Sequence, residues 1–484
     1  MLLRRSVETL AREFLETLER GEPDPGRLAL VGEPDPARAA ECFARAARQP
    51  ALAPTRAQWV AALLATARPG FGAAQLEALA ERHAELRGRP LDPALAPTLA
   101  RVLGSSNFLA RLLLRHPALA DDLAGELPAP PDAIAPAPDW SAIRAAKYRG
   151  LLRITARDLL GRPLREALRE LSDLADRCLA AALEAAARET ALEAPSLLAL
   201  GKLGGRELNF SSDVDLLFLY DAPSEAADLA RNQEVSRLVQ TFKRGLESPA
   251  EDGFGYRVDL DLRPEGPRGV LANSVDAALT YYESFGMEWE RQMLIRLRPV
   301  AGPPGPAASF TRAIVPFVYR RLIDPGVARA VREMKARIEA ERTRAGRDLE
   351  ADLKEGPGGI RDVEFLVQAL QLFHGGREPS IRAGNVLEAL ERLGRRGLLP
   401  ASAAADLAEA YIWLRRTEHA LQMVEERQTQ RFPRDAAGQL ALARRLGYGE
   451  TEGARARDRL LDDWTAVRAE VRAHFDALVL REET

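Results

Sequence analysis

An apolar run that carries two acids two residues apart is the feature that most limits what this chain can fold into. It reads LALGKLGGRELNFSSDVDLLFLYD, from Leu198 to Asp221. A strand presents alternate residues to opposite faces, so Asp213 and Asp215 share one face while Val214 and Leu216 take the other. Carboxylates that close repel by roughly several kcal/mol in a partly buried site unless a cation lies between them. Oxygen ligands with no histidine or cysteine beside them suit magnesium, which binds through one or two carboxylates and completes its shell with water and substrate phosphates. For an arbitrary Asp-x-Asp, a strand with a solvated acidic edge is the commoner outcome.

A second segment raises the weight of the first. Tyr256 to Arg263, YRVDLDLR, alternates: Tyr256, Val258, Leu260 and Leu262 form an apolar face, and Arg257, Asp259, Asp261 and Arg263 a polar one. A third carboxylate on a neighbouring strand would complete a cradle for two metal ions, the arrangement that clamps both oxygens of an in-line phosphoryl displacement. The plain alternative is an exposed ladder of arginine against aspartate on the outside of a sheet.

Gly204 and Gly205 stand between the apolar run Leu197 to Leu200 and the Asp-x-Asp strand, where a turn can bring N–H groups up to a phosphate. Ser211 and Ser212 could add hydroxyl donors, although plain turn residues are the commoner use of such glycines. The pair Gly201-Lys202 is not a P-loop, because leucine follows where a magnesium-binding Ser or Thr is required and Ser196 occupies the place of the first glycine. No histidine pair has zinc-ligand spacing, and there is no Gly-x-Ser-x-Gly elbow.

With 484 residues, two or three domains are expected. Alanine, leucine and arginine dominate, which favours helix, and a net charge of -3 with scattered arginines argues against a nucleic-acid partner. Cys42 and Cys178 both lie in helical patterns and read as buried thiols of a reducing compartment. The first twenty residues are charged and amphipathic rather than a leader, and no apolar run is long enough to span a bilayer, so the expectation is a cytoplasmic protein with no membrane partner.

The chain divides into a helical region over 1–126, a stiff Pro-rich connector at Leu127 to Pro138, a catalytic region over 139–325 and a helical bundle over 326–484. Helices are expected around Trp140 to Thr190, Val363 to Phe373 and Ala403 to Val424, and a proline-rich loop at Pro299 to Pro306. Gly356 to Gly359 precede one of these helices and could present free N–H groups to an anion, with Arg361, Asp362 and Glu364 behind them; an ordinary cap is at least as good a reading. Lys202, Arg263 and Arg291 are by default solvated or ion-paired, and Arg263, continuing the face of Asp259, is the preferred phosphate contact.

Three stretches together, GKLGGRELNFSSDVDLLFLYD, GYRVDLDLRPEGPRGVL (Gly255 to Leu271) and LKEGPGGIRDVEFLVQALQLFHGGREPSIR (Leu353 to Arg382), resemble the bifunctional glutamine synthetase adenylyltransferase/adenylyl-removing family. The resemblance runs from about Ser105 to Asp435. It implies a nucleotidyltransferase-type α+β fold, predominantly helical, with a mixed β-sheet core, flanking helices and a C-terminal helical bundle. It also implies a metal site of Asp213, Asp215 and Asp259 holding Mg2+ as two ions, with Gly204, Gly205, Ser212 and Arg263 on the nucleotide (ADP or ATP) and inorganic phosphate. Asp261 stands where the family has an arginine, while Asp259 holds the family position of the third acid.

The family joins two such modules in tandem, one removing AMP from glutamine synthetase and one attaching it. Each motif occurs once here. Asn209, Arg257 and Arg361 are similar to the removing half, where the attaching half has glycine, glutamate and threonine. The implied activity is magnesium-dependent phosphorolysis of an adenylylated tyrosine of glutamine synthetase with release of ADP. The alternatives are transfer of AMP from ATP in the opposite direction, and a non-catalytic module that binds the synthetase or the PII signalling protein.

Overall fold

A computed structural model describes residues 7–125, 134, 136–222, 224–321, 340, 344, 346, 348–448 and 453–481. The protein is mostly helical with one small mixed sheet. Its strands are β1 (Ser196–Ala199), β2 (Val214–Tyr220), β3 (Val258–Asp259), β4 (Asn273–Ser274) and β5 (Arg298–Ala301). The helices that bear on the site are α1 (Trp140–Leu159), α2 (Leu164–Thr190), α3 (Glu225–Glu247), α4 (Ile360–His374), α5 (Ala401–Gln422) and α6 (Gly453–Arg481). Among the described residues no helix is long and apolar enough to cross a membrane.

Local chemistry sets several of these boundaries. Asp139 caps α1 by accepting the Ala142 N–H at 2.7 Å, and Ser224 caps α3 through the Ala227 N–H at 3.3 Å. Along α2, Leu164, Leu168, Leu171, Ala175, Cys178 and Leu179 recur at helical spacing and are all buried. The helix stops at Ala191, whose φ of 53° turns the chain left-handed.

β1 lies between β2 and β5 and is antiparallel to both, with Ser196 opposite Leu219 and Ala199 opposite Leu216. β3 and β4 run parallel to β2 along its other edge, β3 beside its start and β4 beside its end. Both faces of β2 are buried, as a continuous apolar run requires. Val214, Leu216, Phe218 and Tyr220 join a core that extends to the N-terminal helices, reaching Val7. Leu217 and Leu219 pack instead with Val275, Ala278 and Phe310. Asp215 shares the face of Leu217, so its carboxylate sits at the end of an apolar strip.

Two expectations are corrected. The alternating segment Tyr256 to Arg263 is a strand only at Val258–Asp259. Beyond Asp259 the chain turns, because the Asp259 carboxylate takes the Asp261 N–H at 2.8 Å and β4 occupies the rest of the β2 edge. The loop expected at Pro299 to Pro306 is instead β5 followed by a helix, Pro304–Ala313. Pro299 is tolerated at the sheet's edge, and Pro304 and Pro306 fit the first turn of a helix, where the missing N–H has no partner to lose.

The expected helices Val363 to Phe373 and Ala403 to Val424 are α4 and α5. The connector at 127–138 lies largely outside the described residues, as does the change to helix near 325.

Candidate functional site

Asp215 of β2 stands directly opposite Asp259 of β3 in the parallel register, next to the pair Val214 and Val258. Asp213 comes immediately before β2, where the Val214 N–H donates to the Arg257 carbonyl at 3.0 Å. Burial first, then the charges of Asp259 and Asp213, push the Asp215 carboxyl up to about 6 against the opposing charges of Lys354 and Lys202. The three acids therefore act on one another through space.

They do not all close to ligand distance. Asp213 accepts a hydrogen bond from Nε of Arg257, so one of its oxygens is engaged by a guanidinium. Among the described residues, the trio with donor atoms all within 4.8 Å of one another is Asp406, Glu470 and His474, on α5 and α6. The aspartate cradle is more open than that, a shape for hard cations that share their ligands with water and phosphate. Asp261 is not part of it: its side chain is 66 % exposed and lies 3.8 Å from Arg263.

Arg263 is buried, and its guanidinium donates to the carbonyls of Leu260, Pro267, Gly269 and Val270. It holds its own loop in shape, which is where the expected phosphate contact differs from the structure. The glycines differ in the same way. A Cβ on Gly204 would lie 1.9 Å from the Arg296 carbonyl oxygen, and one on Gly205 2.7 Å from that of Gly384, so both serve close backbone packing. The glycine that touches an acid is Gly201. Its φ is +53°, and a Cβ there would lie 1.9 Å from Oδ2 of Asp215. Ser212, next to Asp213 in the sequence, is half-buried.

A wall of charged side chains from the C-terminal helices backs the cradle. Lys202 donates to both oxygens of Glu418 on α5, at 2.9 and 3.1 Å, and burial lowers its ammonium to about 8. Glu418 is wholly buried, with Nε of Arg415 3.4 Å away. Arg415 also donates to Oδ1 of Asn209 at 2.6 Å and to the Glu207 carbonyl. Arg296 lies 3.0 Å from Glu364 of α4 and 3.6 Å from Glu207. Lys354, half-buried in the loop before α4, exerts its charge on Asp215, Glu364, Glu418 and Lys202.

Sequence reasoning did not find Glu418, Arg415 or Lys354. A single charge in an amphipathic helix or a glycine-rich loop looks like a solvated one. For Arg361 and Asp362 the plain reading fits: Arg361 pairs with Glu355 at 3.2 Å, and Asp362 accepts the Gly358 N–H at 2.9 Å.

Comparison with known proteins adds three findings. A family model for glutamate-ammonia ligase adenylyltransferase matches residues 96–313, and one for GlnD PII-uridylyltransferase matches residues 332–479. A bifunctional glutamine synthetase adenylyltransferase/adenylyl-removing enzyme of Thioalkalivibrio sulfidiphilus is 40% identical over 387 residues, covering 73% of this chain and 40% of that protein. Proteins of the same description are 39% identical in Stenotrophomonas maltophilia, covering 80% and 42%, and 38% identical in Xanthomonas campestris pv. campestris, covering 86% and 46%. The chain thus spans less than half the length of the curated relatives it matches.

Proposed function

The chain belongs to the family of bifunctional glutamine synthetase adenylyltransferase/adenylyl-removing enzymes, and on that premise we propose that it removes AMP from a tyrosine of glutamine synthetase by phosphorolysis. In this reaction an oxygen of inorganic phosphate attacks the α-phosphorus of the tyrosyl-AMP. The bond from phosphorus to the tyrosine oxygen breaks, ADP leaves, and the phenolate takes a proton from water.

The donor set fits magnesium: carboxylates only, two of them facing across a strand pair and one buried enough that burial and its neighbours raise its pKa. Asp215 and Asp259 are the residues that would hold it, with Asp213 offering an oxygen from the same face. When bound, magnesium supplies positive charge to the entering and leaving oxygens of the displacement.

A phosphate dianion approaching three aspartates needs cations to meet it. In this reading Arg257 and Lys354 would draw phosphate in, and Ser212 would donate to one of its oxygens. Phosphate carries its own nucleophilic oxygen, so no side-chain base is required. The resemblance of Asn209, Arg257 and Arg361 to the removing half, and the match of residues 332–479 to a PII-uridylyltransferase, support the same reading.

The decisive experiment mixes the protein with adenylylated glutamine synthetase, magnesium and phosphate, and separately with unmodified synthetase and ATP. ADP in the first mixture is the expected result. Pyrophosphate in the second alone would reverse the direction, and turnover in neither would leave a binding module.

A further inference from the structure

A cavity of about 760 Å³ lies apart from the aspartates, and its walls come from both ends of the chain. The N-terminal helices supply Ala61, Ala62, Arg101 and one carboxylate, the exposed Glu8, α1 supplies Leu159, and the helix Ala436–Arg445 supplies Arg444 and Arg445 at its last turn, so three guanidinium groups face one acid. Its volume is that of small-molecule sites.

Arg444 is 4% exposed. One of its nitrogens donates to the Leu64 carbonyl at 2.8 Å, but among the described residues Nε and Nη2 are buried without a partner. Among the same residues Arg445 reaches a carbonyl alone, that of Ser105, at 3.0 Å. Burial pulls both guanidinium groups down to about 10; Glu33 offsets this slightly at Arg444, and Arg68 adds to it at Arg445. Among the described residues no carboxylate pairs with Arg444 or Arg445 within salt-bridge distance. A buried guanidinium with idle donors is costly, and an oxyanion is the group that relieves it.

We propose that this cavity binds a small organic anion, its carboxylate or phosphate held by Arg101, Arg444 and Arg445 and its apolar body resting on Ala61, Ala65 and Leu159. Such a ligand would join the N-terminal helices to the C-terminal region, away from the aspartates.

Calorimetry on the full chain tests this with two probes that share an aromatic body, phthalate for carboxylate and phenyl phosphate for phosphate. At least one should bind one-to-one with Kd below about 1 mM. Binding should weaken at least about tenfold in Arg101→Gln and in Arg444→Gln, as expected for loss of a charge-assisted contact. It should persist in Asp215→Asn, which separates it from the aspartate site. Should Arg444→Gln fail to fold, Arg101→Gln, at a less buried position, decides alone. Binding of neither probe, binding unchanged in Arg101→Gln, or binding lost in Asp215→Asn each overturns the proposal.

Discussion

Asp215 and Asp259 face one another across a two-residue parallel pairing, with the chain turning away immediately after Asp259. Like charges so placed oppose each other until a cation joins them. In Asp215→Asn, divalent-ion binding should disappear and turnover fall by about 10³-fold or more, as when a principal electrostatic stabiliser is removed. The melting temperature measured without divalent ions should hold steady or rise, because one buried like charge is gone. A variant that unfolds instead would show that the pair is structural.

Arg257 competes with any metal for Asp213. Arg257→Gln should therefore tighten magnesium binding by up to about tenfold, or ~1.4 kcal/mol, in a calorimetric titration. It should raise the KM for phosphate in the same variant. Weaker magnesium binding would mean that the guanidinium orients the carboxylate for the metal.

Lys354 exerts its charge on Asp215 and on the buried carboxylates behind it. If it draws phosphate in, Lys354→Gln should raise the KM for phosphate at least about tenfold while leaving the far-ultraviolet spectrum unchanged. An unaltered KM with a lower melting temperature would assign it to the fold alone.

At Gly201 the backbone is left-handed and a methyl group would strike Oδ2 of Asp215. Gly201→Ala should cost roughly 1–2 kcal/mol for the backbone conformation alone. Turnover should drop further than stability, by about 10²-fold, if the displaced atom belongs to the proposed metal ligand Asp215. The ratio of the two losses, from chemical denaturation and initial rates, is the measurement.

Burial alone would raise the Glu364 carboxyl, but Arg296, with Lys354, Arg415 and Lys202, overrides it and holds the group down at about 2. A carboxylate held below its unfolded value of 4.5 stabilises the fold above that pH, and the contribution is lost as pH falls toward 2. Glu364→Gln should cost about 3 kcal/mol at neutral pH, because Arg296 is left buried with Glu207 at longer range. Its stability should also vary less with pH across the acid limb than that of the parent chain.

The aspartates were legible because a period of two leaves Asp213 and Asp215 no choice but a common face once β2 is a strand. Asp259 was legible for the same reason, yet the length of its strand was not. Alternation states which side chains share a face and says nothing of whether a neighbouring strand is there to pair with, and past Asp259 there is none. Arg263 and the pair Gly204-Gly205 carry residue types suited to phosphate, but Arg263 spends its donors on the carbonyls of its own loop, and the glycines pack against backbone at Arg296 and Gly384, distant in the chain. Glu418 and Arg415 were hidden because α5 buries charged residues among apolar ones, and the facing Lys202, Glu207 and Asn209, distant in sequence, are what make that tolerable.

The turn that ends α5 ties three separate regions together. The Met423 carbonyl accepts from Ser106, Glu426 pairs with Lys147 of α1, and Gln422 accepts the N–H of Ser211, two residues ahead of Asp213. A fragment cut at 325 would keep Asp213, Asp215 and Asp259 and still lose the brace under the loop before Asp213. Dissection of the protein into a minimal piece around these acids therefore has to retain the chain through residue 426, however far from them that segment stands in the sequence.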